Sequence, residues 1–145
     1  MILPVLKELR INSIVSLGVP GEKRTIRSGQ CNVYTWLSQP ERQEYMKNSK
    51  IVIFSCGHIT CFETIKYMKP SICVPTQPEQ MGNSAKLENL GCSVVAKSRQ
   101  QLKLAIQEIE RKREVFRRNM EKLNRFSNRF KGLDRATEII ESIGA

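Results

Sequence analysis

Short apolar runs alternate with amphipathic stretches along most of this chain. Residues 11–17, 31–37, 51–54, 72–74 and 92–96 are compact apolar segments bounded by Gly, Pro, Ser or charged residues, the pattern of buried strands. Between them lie helix patterns. Residues 1–10 read as the second half of an amphipathic helix, and Ser38 caps a short helix reaching about residue 48. A helix starts at Thr60, with Glu63 three positions on as its capping-box partner. Residues 82–90 place Leu87 and Leu90 on one face and stop at Gly91. Ser98 caps a helix carrying Leu102, Leu104, Ala105, Ile106 and Ile109. From Glu110 onward the character changes: Val115, Phe116, Met120, Leu123, Phe126 and Phe130 recur at helical spacing among many Arg and Lys. Gly132 interrupts this stripe, and residues 134–143 form a last helix with Ala136, Ile139, Ile140 and Ile143 on its apolar side.

Strands and helices alternating at such short spacings predict an α/β fold with a Rossmann-like, doubly wound parallel sheet. The expected division is a nucleotide-binding unit over residues 1–109 and basic C-terminal helices over residues 110–145.

The densest chemistry lies in residues 50–83. The run 51–54 ends in Ser55-Cys56-Gly57-His58, where glycine permits a sharp turn or close approach of a ligand. A strand, a glycine turn and a helix start together aim unpaired N–H groups and the positive helix end at an anion. The next strand ends at Pro75 and is followed by Gln77, Glu79, Gln80 and Asn83, beyond a strand's carboxyl end, where open α/β sheets bind ligands. The stretch reads as a phosphate-and-sugar site. Each residue also has a structural reading: Glu63 as a cap, His58 as a turn residue, residues 77–80 as a solvated loop.

The joint spacing of Gly57, His58, Thr60, Glu63, Pro70, Pro75, Glu79, Gln80 and Asn83 resembles the nucleotide-sugar segment of GT-B glycosyltransferases. It looks closest to the MurG-like, family 28-like branch, which includes the eukaryotic subunit adding the second GlcNAc to dolichol-diphosphate. Plant secondary-metabolite transferases share the spacing but carry His, Trp and Asn where Ser55, His58 and Ile59 stand here. The resemblance implies the donor-binding, carboxyl-terminal half of an inverting transferase moving a hexose or N-acetylhexosamine, GlcNAc foremost, from a UDP-sugar to an acceptor such as a lipid-linked one. It assigns the diphosphate to Gly57, His58 and Thr60, the ribose to Glu63, and the sugar to Gln77, Glu79, Gln80 and Asn83. It implies no cofactor and no metal. It places the acceptor-activating base in an amino-terminal domain, so no catalytic residue is assigned here, and a missing domain or partner subunit is expected for activity. A complete half of this kind opens with one more, centrally placed strand. The expectation is therefore a rearranged sheet or a strand supplied from elsewhere, with homodimerisation or strand exchange at the unpaired edge.

Composition bounds these readings. The 145 residues suit one domain with a substantial core. No apolar run approaches a membrane span and no signal-peptide pattern opens the chain, which points to a cytoplasmic protein or one peripheral on the cytoplasmic membrane face. Cys31, Cys56, Cys61, Cys73 and Cys92 form no C-x-x-C pair, and with a single histidine they argue against structural zinc and for buried free thiols. The net charge of +10, concentrated after Glu110, supports a rival class: a basic α/β module for an anionic membrane surface or nucleic acid. Nucleic acid ranks last because no recognition motif accompanies the charge. A sugar-nucleotide epimerase fragment is a third reading of the same architecture.

Overall fold

Apolar alternation and helix caps translate directly into the observed order of elements. The structure is a computed structural model that describes residues 1–21 and 24–143, with the side chains of Leu133 and Asp134 outside the description. Helix α1 (Ile2–Glu8) precedes strands β1 (Ser13–Ser16), β2 (Thr25–Ser28) and β3 (Cys31–Tyr34). Helix α2 (Gln39–Asn48) leads into β4 (Val52–Phe54), α3 (His58–Lys66), β5 (Ser71–Cys73), α4 (Pro78–Asn89) and β6 (Ser93–Val95). Helices α5 (Arg99–Arg111), α6 (Arg113–Ser127) and α7 (Gly132–Ile143) complete the chain.

The strands form two three-stranded sheets, ordered β1-β3-β2 and β4-β5-β6. All pairings are parallel except β2 with β3. Alternate residues of the second sheet face opposite helix layers, as the strand period demands. Ile53, Ile72 and Val94 join Val5 and Leu6 of α1, Val33 of β3, and Leu102, Ile106 and Ile109 of α5 in one core that both sheets share. Phe54, Cys73 and Val95 join Cys61, Leu87, Met120 and Leu123 in a second core beneath α3, α4 and α6. Phe116 enters the first core and Met120 the second, so α6 closes both. Complete burial of side chains such as Leu102, Ile72 and Met120 stabilises the fold by roughly 1.5–3 kcal/mol each.

The expected α/β fold is the one observed, with its sheet divided. Among the described residues β1 pairs only with β3, and β4 only with β5. Val52 N donates to the Pro70 carbonyl at 3.1 Å and Val74 N to the Phe54 carbonyl at 2.8 Å. In a parallel ladder the intervening Ile53 therefore turns its N–H and C=O to the opposite, unpaired edge. On β1, Ser13 N donates to Gln30 and Leu17 N to Tyr34, so Ile14 and Ser16 face outward in the same way.

Several local expectations change. β2 is a strand in a stretch where the sequence pattern predicts no element, paired antiparallel to β3 through a turn at Gly29 (φ 64°). Helix α3 starts earlier than expected, capped by Gly57 rather than Thr60: Gly57 is extended and its carbonyl accepts from Cys61 N at 3.0 Å. Thr60 thereby falls inside the first turn and Glu63 is released from any capping role. Helix α4 begins at Pro78 with Gln77 as N-cap, so residues 77–80 are a helix start and not a loop. The expectation of five free thiols is corrected as well. Cys56 and Cys73, at the carboxyl ends of neighbouring parallel strands with Cα atoms 5.5 Å apart, are paired as a disulfide, leaving Cys31, Cys61 and Cys92 free and buried.

Candidate functional site

The turn after β4 is shaped by a buried residue in an unusual conformation. Cys56 has φ 68°, in the left-handed region that a residue with a β-carbon enters at a cost of about 1–2 kcal/mol. That conformation turns the chain off β4 into Gly57 and the first turn of α3. The N–H groups of His58, Ile59 and Thr60 open this nine-residue helix, where intrahelical acceptors are lacking. The turn is pinned from α4, where Asn83 Nδ2 donates to the Cys56 carbonyl at 3.0 Å and to Glu79 Oε1 at 2.8 Å. His58 Nδ1 lies 3.3 Å from the same Glu79 oxygen, and its ring leans on Phe62 with centroids 5.5 Å apart. Cys56, His58, Glu79 and Asn83 thus form one connected polar network at the carboxyl ends of β4 and β5. The buried Cys61 thiol beneath it is pushed up to about 11 by desolvation and by the Glu79 charge.

The remaining expected site residues divide. Gln80 Oε1 accepts from Thr76 N at 2.9 Å and from Thr76 Oγ1 at 3.1 Å, fixing the loop between β5 and α4. Its amide nitrogen faces Gln77 Oε1 at 3.5 Å. Gln80 therefore has a committed acceptor and an available donor. Glu63 does not join the Asn83 network. Its Oε1 accepts from Arg42 Nη2 at 2.7 Å, while Oε2 is buried without a partner. Arg42 is the residue that the sequence analysis missed, since its partner lies 21 residues away on another helix. Thr76 escaped notice for a similar reason: its role depends on Gln80 folding back on it. No group of three or more His, Cys, Asp or Glu among the described residues is placed to hold a metal ion.

With this geometry established, comparison with known proteins identifies the chain's relatives. The family model for the glycosyltransferase family 28 C-terminal domain matches residues 22–135. The chain belongs to this family. No curated protein matches it in sequence. Among solved structures, it resembles the glycotransferase of kitacinnamycin with a TM-score of 0.80 and 16% identity, covering 96% of this chain and 37% of that one. The spinosyn forosaminyltransferase SpnP gives a TM-score of 0.73 at 10% identity over 90% of this chain and 34% of its own. The glycosyltransferase SnogD from Streptomyces nogalater gives 0.62 at 14% identity, with 86% and 34% covered. The likeness at these identities is one of fold, and the family 28 chain spans about a third of each of these proteins.

Proposed function

We propose that this family 28 domain is the donor-binding half of an inverting glycosyltransferase. It would take a UDP-sugar carrying a hexose or N-acetylhexosamine, GlcNAc first among them, for transfer to an acceptor such as a lipid-linked sugar. The observation that carries this reading is the Cys56-Gly57 turn, which presents the start of α3 beside the Asn83–Glu79–His58 network. The N–H groups of His58, Ile59 and Thr60, with the helix dipole, hold the donor diphosphate and stabilise the charge that develops on it as the sugar departs. His58 adds a donor, and a positive charge when protonated. Glu63, whose Oε2 is buried without a partner, would take the ribose hydroxyls. Glu79 and the Gln80 amide take sugar hydroxyls, with Gln77 and Asn83 in support. This chemistry calls on no metal or cofactor from the chain. The acceptor-activating base belongs to an amino-terminal domain or partner subunit.

Calorimetric titration with UDP-GlcNAc, UDP and GDP tests the reading. UDP ligands should bind, and Glu63→Ala and Glu79→Ala should each weaken binding about tenfold or more, the effect expected when a hydrogen bond to a charged group is lost. A folded protein that gives no heat with any nucleotide would overturn it.

A second reading rests on α6. Phe126 and Phe130 are exposed, stack edge-on with centroids 5.2 Å apart, and stand among Arg125, Arg129 and Lys131. Aromatic rings flanked by cations suit the headgroup region of an anionic membrane. On this reading the domain would sit peripherally on the cytoplasmic membrane face, within reach of a lipid-linked acceptor.

A further inference from the structure

The contact between Arg42 and Glu63 joins α2 to α3. Helix α2 is polar along most of its length and buries only Met46. Its first turn is nevertheless rigidly set. Ser38 N and Oγ both donate to Glu41 Oε2, at 3.0 and 2.7 Å, and Arg42 N donates to the Ser38 carbonyl at 2.9 Å. From this turn the Arg42 guanidinium reaches Glu63 in the middle of α3, a side chain only 13% exposed.

The pairing is incomplete in a specific way. Nη2 and Nε form one edge of a guanidinium, the edge that grips a carboxylate through two parallel hydrogen bonds. Here Nη2 engages Oε1 at 2.7 Å, whereas Arg42 Nε and Glu63 Oε2 are both buried and both without a partner. One is a donor and the other an acceptor. Leaving each unsatisfied forfeits its desolvation free energy with no hydrogen bond in return. A hydroxyl satisfies both at once, since its hydrogen donates to a carboxylate oxygen while its own oxygen accepts from an N–H.

We propose that Arg42 is a positioning and specificity residue for the donor: it fixes Glu63 through Nη2 and, once donor binding uncovers the two buried atoms, Nε and the free Glu63 oxygen together take one hydroxyl of the ribose diol. This rests on the reading of the chain as a UDP-sugar-binding domain. This pair of atoms discriminates by chemistry. A deoxyribose places a C–H where a donor-acceptor group is needed, so both buried polar atoms stay unpaired. Lysine in place of arginine keeps a positive charge near Glu63 but has no planar edge with which to provide the second donor.

Calorimetry separates the possibilities. UDP, 2′-deoxy-UDP and 3′-deoxy-UDP are titrated into the full chain, Arg42→Lys and Glu63→Gln, with thermal unfolding confirming that each variant folds. The wild type should prefer UDP over one deoxy analogue by about tenfold or more. Arg42→Lys should bind that analogue as the wild type does and lose most of the preference. A merely structural tie between α2 and α3 would weaken all three ligands in proportion and leave the ratio unchanged, which would overturn the proposal. If Glu63→Gln loses UDP while Arg42→Lys keeps the wild-type ratio, the role given to Arg42 falls and the donor-site reading stands. If the wild type binds no UDP, both fall.

Discussion

Asn119 of α6 donates its side-chain amide to the Gly91 carbonyl at 3.0 Å, and the same nitrogen stands 2.5 Å from where a β-carbon on Gly91 would lie. Gly91 also has φ 63°. The turn into β6 and the seating of α6 therefore depend on one residue having no side chain.

Gly91→Ala should consequently lower stability by about 1–3 kcal/mol, from left-handed backbone strain and displacement of Asn119. Asn119→Ala should cost about 1 kcal/mol, and the double variant less than the sum, because the clash is gone. Urea unfolding of the three variants gives the coupling energy directly.

Asn83 links the strained turn to the candidate sugar residues. Asn83→Asp replaces the donor that serves the Cys56 carbonyl and Glu79 Oε1 with a carboxylate facing two acceptors. UDP-GlcNAc affinity should fall about tenfold or more, the effect of losing hydrogen bonds to a charged partner. Asn83→Leu should weaken binding less, since it removes the donor without adding repulsion. Calorimetry on both variants decides the order.

Two buried thiols give the fold a pH dependence at the alkaline end. Burial raises Cys61 and Cys92 from the usual 9.0 to about 11. The folded state holds these protons more tightly than the unfolded chain, so their contribution is fully present below pH 9. It should be lost progressively as pH rises from 9 towards 11. The urea midpoint should fall over that window, and less steeply in Cys92→Ala. At about pH 8 both thiols should resist iodoacetamide until the protein unfolds.

Membrane attraction through α6 predicts that the chain sediments with vesicles rich in phosphatidylglycerol and not with pure phosphatidylcholine. Phe126→Ser with Phe130→Ser should reduce the bound fraction severalfold at constant charge, with salt weakening what remains.

Much of this architecture is legible in the sequence because its signals are local. Ser38 with Glu41 and Ser98 with Gln101 mark the two helix starts where the structure has them. The runs around Ile53, Ile72 and Val94 become the parallel strands of the second sheet. What escaped depends on distant partners or on backbone conformation. β2 contains one large apolar residue, Ile26, which is exposed, so only its hairpin pairing to β3 makes it a strand. Thr60 and Glu63 carry a capping-box spacing, yet the Cys56-Gly57 turn starts the helix sooner. Arg42 was hidden because its partner lies 21 residues away on another helix. The Cys56–Cys73 pairing likewise follows from the register of β4 beside β5, which no spacing rule encodes.

The divided sheet should leave a distinctive signature in amide hydrogen exchange. In most parallel sheets the innermost strands exchange slowest, since their N–H groups open only with the whole domain. Here the outward N–H groups of Ile14, Ser16 and Ile53 have no ladder partner among the described residues, although Ile53 contributes to the core. These amides should exchange on the timescale of a loop. Those of β5, bonded between β4 and β6, should be the slowest in the second sheet. The protection map would then show two slowly exchanging ladders over one shared core, with a fast seam between them, and any polypeptide strand that settled there would announce itself by slowing those amides.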